Sequence, residues 1–241
     1  ASNRVPPLHT INPDDRHGQG TGDATMKMNR LEKLAMNNPV RTLIQRHYEA
    51  PLLERLGGRL DDLVVLETGC GRGIGTELLL KRFGARKVTA IDLDDDMLRH
   101  ARQRLSHYGD DRLELRQGDV TRLDAADESY DAVVNFAAIH HVPRWQDAVS
   151  EILRVLKPGG RFFFQEVTAR WILRWPYRVL FEHPMENRFS GEEFVAELER
   201  QGFEVGDNWV ERARGDFIFG VGRRRDDVTD NRTETAVQAA S

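Results

Sequence analysis

Gly69, Gly71, Gly73 and Gly75 alternate along "VVLETGCGRGIGTELLLKRFG", residues 64–84, with Glu67 two positions ahead of the first. The stretch reads as a strand, a turn and the start of a helix. Without Cβ atoms the turn can approach a ligand closely, and a helix start offers free N–H groups. A plain packing turn is the alternative, and the spacing sorts the ligands. A dinucleotide loop wants glycine at the first, third and sixth positions. Counted from Gly69 the sixth is Ile74, and counted from Gly71 it is Thr76. No Gly-Lys-Ser/Thr follows, so the phosphate-loop pattern fails too. Glu67 would repel a pyrophosphate and attract an ammonium group. The expected ligand has a nucleoside, a cationic end and no phosphates.

Further acids fit such a ligand. Asp92 ends the next strand about 20 residues after Gly73, where a carboxylate can accept both ribose hydroxyls. Asp119, in "QGDV", ends the third strand and can accept from an adenine amino group. Alone it would read as a solvated loop acid, but it is the third acid on successive strand ends. His140 and His141 follow the fourth strand on the same edge. An imidazole with an ordinary pKa near 6.5 can take an acceptor's proton at neutral pH. His140 is the first choice, because His141 is expected to turn inward and cap the following helix. Glu166, near the end of the fifth strand, is a further candidate or simply a paired surface acid. No metal is expected, since the two histidines are adjacent and nothing nearby has zinc-site spacing.

These residues need a sheet edge to hold them. Strands are predicted at "DLVVLE" (62–67), "RKVTAIDL" (86–93), "RLELRQGD" (112–119), "YDAVVNF" (130–136) and "GRFFFQEV" (160–167), with helices between them. In "WQDAVSEILRVLKPGG", Trp145, Ala148, Val149, Ile152, Leu153 and Leu156 keep helical spacing. Lys157 suits the negative helix end, Pro158 stops it, and Gly159 or Gly160 can take the left-handed exit. A helix over 191–201 precedes "FEVGDNWV" and "DFIFGVG", a possible hairpin. The fold class is α/β, a Rossmann-like doubly wound sheet of about seven strands, mostly parallel with the last antiparallel.

The chain has 241 residues, 39% hydrophobic and 31% charged, with a net charge of -4, which gives no electrostatic reason to expect nucleic acid. Its one cysteine, Cys70, excludes an intrachain disulfide. No apolar run approaches the roughly 20 residues of a membrane span, and the polar opening is no signal peptide, so cytoplasm is the expected compartment. Residues 1–25 and the tail 223–241 are expected to be disordered. Between them lies one domain, 26–222, with an N-terminal helical cover over 29–56.

In order, "VLETGCGRGIGT", "VTAIDLDDDML", "LRQGDV", "YDAVVNFAAIHHV" and "LKPGGRFFF" resemble the motifs of class I S-adenosylmethionine-dependent methyltransferases, closest to the small-molecule branch, over about residues 40–220. The resemblance implies S-adenosylmethionine as cofactor. It implies that Glu67 and the backbone of Gly69, Cys70, Gly71 and Gly73 hold the methionine part. Asp92 would bind the ribose, with Leu93 and Met97 beside the adenine, and Gly118, Asp119 and Val120 at its edge. Asn135 would lie near the sulfonium, and Tyr48, on the N-terminal cover, could reach the cofactor. Thr68 departs from the usual aliphatic residue.

The implied reaction is methyl transfer to an O, N or C acceptor on a small metabolite. Modification of RNA or protein, or cofactor binding without methyl transfer, are the alternatives. Only "RRR" (223–225) is a basic tract, and strand four ends "NFAA" rather than in the N/D-P-P-Y/F tetrapeptide familiar from amino-directed nucleic-acid and protein methyltransferases. In "TARWILRWPYRVLFEHPMENRFS", residues 168–190, Arg170, Arg174 and Arg178 recur every four residues beside Trp171 and Trp175, and Pro176 should kink the helix. Residues 168–189 are read either as core packing or as a lid over the acceptor. In the cover, Leu43, Ile44, His47 and Tyr48 share a helical face expected to pack on the sheet.

Overall fold

A computed structural model describes residues 38–173 and 187–226. The expected disordered opening, the cover before residue 38, Arg174, Trp175, Pro176 and Arg178 lie outside the described residues. Strands β1 (Val64–Thr68), β2 (Lys87–Asp92), β3 (Leu113–Gln117), β4 (Tyr130–Phe136) and β5 (Leu156–Val167) are parallel, ordered β3-β2-β1-β4-β5. Beyond β5 lies β8 (Phe217–Arg224), antiparallel to it. The short strands β6 (Phe203–Glu204) and β7 (Trp209–Arg212) both pair antiparallel with β8. The result is an eight-stranded Rossmann-like sheet.

Helices α1 (Pro39–Ile44), α2 (Ala50–Gly57), α3 (Ile74–Lys81), α4 (Asp95–Arg104), α5 (Trp145–Val155), α6 (Ala169–Ile172) and α7 (Gly191–Gln201) surround it. Both sheet faces are covered, so strand interiors read as unbroken apolar runs. In "FFF", Phe162 and Phe164 point into the cluster under α5 and α7, while Phe163 points into the one under α2 and α3. Each is fully buried, which stabilises the fold by about 1.5–3 kcal/mol per ring. Helix α7 opens with a capping box, in which Ser190 and Glu193 satisfy each other's backbone N–H groups.

Three expectations need correction. Helix α5 ends at Val155, and Leu156 is already extended (ψ 139) and paired with Tyr130. The proline at 158 forces the residue before it out of helical geometry, and Leu156 gains full burial in the sheet. Lys157 therefore does not cap the helix; its Nζ lies 2.6 Å from Asp131. Gly159 does take the left-handed conformation, in a bulge between β4 and β5. The tail was expected to start at residue 223, but Arg223 and Arg224 are paired within β8.

The third correction concerns the cover. Between α1 and α2 the chain makes a π-helical turn, Gln45–Glu49. The stripe turned inward is polar: Gln45 and Glu49 are buried. Of the residues expected to pack on the sheet, Leu43 at 55% and Ile44 at 44% exposure face out, while Tyr48, 44% exposed, keeps an edge-on contact with Phe219 of β8. No helix among the described residues is long and apolar enough to cross a membrane.

Candidate functional site

A cavity of about 170 Å³ opens at the carboxyl ends of β1, β2 and β4, below the cover. Glu67 ends its first wall. It is 1% exposed, and Thr76 Oγ1, in the first turn of α3, donates to it. Burial, aided by the charge of Asp92, pushes its pKa up to about 8, against the pull of the Thr76 bond. A carboxyl so placed gains most from a cationic partner.

The glycine loop lines the cavity through Gly69, Cys70 and Gly71. Gly69 has φ +68, and a Cβ there would come within 2.3 Å of the Ala138 methyl, so only glycine brings the loop this close to the turn after β4. On the β2 side, Asp92 accepts from Gly71 N at 2.7 Å and from Asp94 N at 2.9 Å. Each carboxylate oxygen has a second lone pair, so the carboxylate can still accept from a diol. Leu93, Met97, Gly118 and Val120 complete an apolar slot suited to a base.

Four residues expected to bind the ligand are not in this lining. Gly73 has φ +79 and packs its α-carbon against Leu105 and Ala101, so it serves the junction of loop and α4. Asp119 accepts from Thr121 N and Oγ1, both at 2.8 Å, which turns its carboxylate into its own loop. Tyr48, 44% exposed, packs edge-on against Phe219 of β8, 6.1 Å between ring centres. Asn135 is fully buried within the sheet.

Asn135 instead belongs to a buried chain of polar groups. Thr68 Oγ1 donates to Asn135 Oδ1 at 3.3 Å, and Asn135 Nδ2 donates to Glu166. Glu166 also accepts from Ile139 N at 2.7 Å and lies 2.7 Å from His140 Nδ1. The unusual Thr68 thus supplies the bond that orients Asn135. Glu166 is no surface acid: it is fully buried, and burial raises its pKa to about 7. Burial, with the charges of Arg188 and Arg41, lowers the His140 pKa to about 3, so its ring is neutral. Above the Glu166 pKa, with backbone N–H groups aimed at that carboxyl, the consistent assignment is a carboxylate accepting from Nδ1–H.

The two histidines therefore exchange the parts expected of them. His140 turns inward onto Glu166 and borders a second cavity of about 10 Å³, while His141 lines the large one. The two rings lie against each other, 4.1 Å between centres, and the buried carboxylate decides which is drawn in. The lining also holds Arg41, Gln45, Phe136 and Ala137, none of which stood among the expected site residues. Ala137 has φ +56, a strained value for a residue with a side chain, where the chain turns out of β4. The signal for Arg41 and Gln45 was their four-residue spacing with Glu49 on one helical stripe. Among the described residues, no group of three or more His, Cys, Asp or Glu could hold a metal ion.

Residues 66–164 match the family described as "Methyltransferase domain". A fatty-acid O-methyltransferase of Mycolicibacterium smegmatis is 35% identical over 122 residues, 51% of this chain and 43% of that protein. A second protein of M. smegmatis, named a probable S-adenosylmethionine-dependent methyltransferase, is 38% identical over 157 residues, 64% of this chain and 57% of its own length. The chain thus spans about half the length of these curated relatives. A solved S-adenosylmethionine dependent methyltransferase from Mesorhizobium loti superposes with a TM-score of 0.61 at 19% identity, covering 72% of this chain and 96% of that one. That likeness is one of fold.

Proposed function

From the match of residues 66–164 to the methyltransferase domain family, we propose that this chain binds S-adenosylmethionine in the large cavity and transfers its methyl group to a small-molecule acceptor. The observation that carries the reading is Glu67, a carboxyl held at a pKa of about 8 at the head of a glycine loop. It fits an ammonium group better than any phosphate. The cofactor, when bound, supplies a methyl group already activated by its sulfonium.

Glu67 ionises to pair with the amino-acid end, and Asp92 accepts from the ribose. Leu93, Met97, Gly118 and Val120 flank the adenine. The turn after β4, held by Glu166 through Ile139 N, fixes Phe136, Ala137 and His141 on the acceptor side. The protein's work is alignment and exclusion of water, since the displacement runs in line. His141 lines the cavity, and His140 positions the turn.

Titration calorimetry tests the cofactor. S-adenosylmethionine and its demethylated product should bind and NAD should not. Asp92→Ala should weaken binding by about 1–3 kcal/mol, the loss typical of charge-assisted bonds. Incubation with methyl-labelled cofactor and a metabolite extract tests the transfer. Label recovered only in RNA or protein would overturn the small-molecule reading.

A further inference from the structure

The cover turns a cation toward the cavity. Arg41, Gln45 and Glu49 form its inward stripe, while Val40, Leu43 and Ile44 face out. An apolar inner stripe would pack at no desolvation cost, and a buried ion pair seldom repays that cost in stability. The arrangement therefore calls for a ligand.

The location of Arg41 says which part of the ligand. Along the sheet edge the order of chemistry is Asp92 on β2, Glu67 on β1, the Phe136 turn on β4, and Gln165 on β5. Arg41 Nη1 is 2.6 Å from Glu49 Oε2, and Nη2 is 3.5 Å from Gln165 Oε1. The guanidinium is thus tied to β5, two strands from the β1 end that carries Glu67, on the side away from the nucleoside. Glu49 holds only one edge of a fork that carries five donors. Burial pushes the Glu49 pKa up, which weakens its claim on the cation when a second anion arrives.

We propose that Arg41, with Gln45 beside it, recognises a carboxylate on the acceptor, so that the reaction is methyl esterification of a carboxylic acid. This inference rests on the methyl-transfer reading above and names its substrate class. A guanidinium fork matches a carboxylate geometrically and leaves one oxygen lone pair free to react. That oxygen donates a pair to the methyl carbon, the carbon–sulfur bond breaks with its pair to sulfur, and an ester and a thioether result. No proton moves, so no base is needed. This suits a site whose more deeply buried histidine is committed to Glu166. The fatty-acid O-methyltransferase relative acts on the same functional group by its name.

The test gives the full chain methyl-labelled cofactor and straight-chain carboxylic acids from butanoate to hexadecanoate, beside alcohols and amines of the same lengths. Labelled methyl ester from the acids, and none from alcohols or amines, is expected. Arg41→Gln should raise the KM for the best acid by roughly tenfold or more while the Kd for S-adenosylmethionine stays within about threefold. Arg41→Lys, which keeps the charge but loses the fork, should fall between. Labelled ether or amine, or acids left unlabelled by a chain that binds the cofactor, overturns the inference. So does an Arg41→Gln chain that loses cofactor affinity with acid KM unchanged, which would assign Arg41 to the carboxylate of the cofactor. Failure of the wild-type chain to bind S-adenosylmethionine sinks instead the reading beneath it.

Discussion

Glu67 and His140 show how burial sets the behaviour of a single titratable side chain. Glu67 is neutral below its pKa of about 8 and must ionise to meet an ammonium group. Affinity for S-adenosylmethionine should therefore rise from pH 6 to about pH 8 and level off above, with a proton released on binding near pH 6.5. Calorimetry in two buffers of different ionisation enthalpy measures that proton, and Glu67→Gln should abolish both effects. The histidine pair was legible at the end of the fourth strand but its directions were not, because "HH" carries no sign of which ring a carboxylate 26 positions later will claim. His140→Gln should lower the urea midpoint through loss of a buried bond worth about 1–3 kcal/mol, with turnover of the folded fraction within about tenfold of wild type. A loss of turnover by a hundredfold at unchanged stability would restore it as the base. Asp92 and the glycine loop were readable because their spacing is local, set by one strand and one turn. The bonds from Asp119 to Thr121 were not legible, because a strand end does not reveal whether a carboxylate looks outward or bonds back to its own loop.

At the scale of elements, short apolar runs alternating with helical stripes located every parallel strand, since each signal is complete within a few residues. The cover defeated that logic. Helical periodicity identifies a stripe, not the side it faces, and here a cavity made the polar stripe the inner one. The π-helical turn adds to this by shifting the register between α1 and α2. Ile44→Ser should change stability by no more than about 0.5 kcal/mol, as for an exposed site, whereas Leu53→Ala, fully buried in α2, should cost about 2–5 kcal/mol. Thermal unfolding of the two variants decides it, and a costly Ile44→Ser would mean that the outer face is covered. The end of α5 was missed for a related reason. Leu156 fits the helical stripe, yet strand pairing with Tyr130 outweighs propensity there.

Across the whole molecule the buried acids set a pH profile. Glu67 and Glu166, with pKa values raised to about 8 and about 7, bind protons in the folded state that the unfolded chain has released. Their stabilising contribution is complete below about pH 4.5 and is lost as pH rises through 7 and 8. His140, depressed to about 3, works the other way, but only between pH 3 and 6.5. Above pH 6.5 the glutamates act without that counterweight. The ligand-free protein should have a lower urea midpoint at pH 8.5 than at pH 6.5, and S-adenosylmethionine should narrow the gap by pairing Glu67. A midpoint that rises over this interval would mean that both carboxyls are solvated. The fold class was legible because it follows from the order of elements. The profile was not, since it depends on which acids the sheet swallows.

The position of β8 has a consequence for the birth of the protein. It is the last of the described strands to be made, yet it lies inside the sheet, with β5 on one flank and β6 and β7 on the other. Until Phe217–Arg224 leave the ribosome, β5 offers its row of backbone donors and acceptors to any strand that meets it, with Phe163 beneath. At roughly 5–20 residues per second, that exposure lasts several seconds after β5 itself emerges. A nascent chain stalled before Phe217 should therefore be a good chaperone client, and one stalled well past Arg224 a poor one.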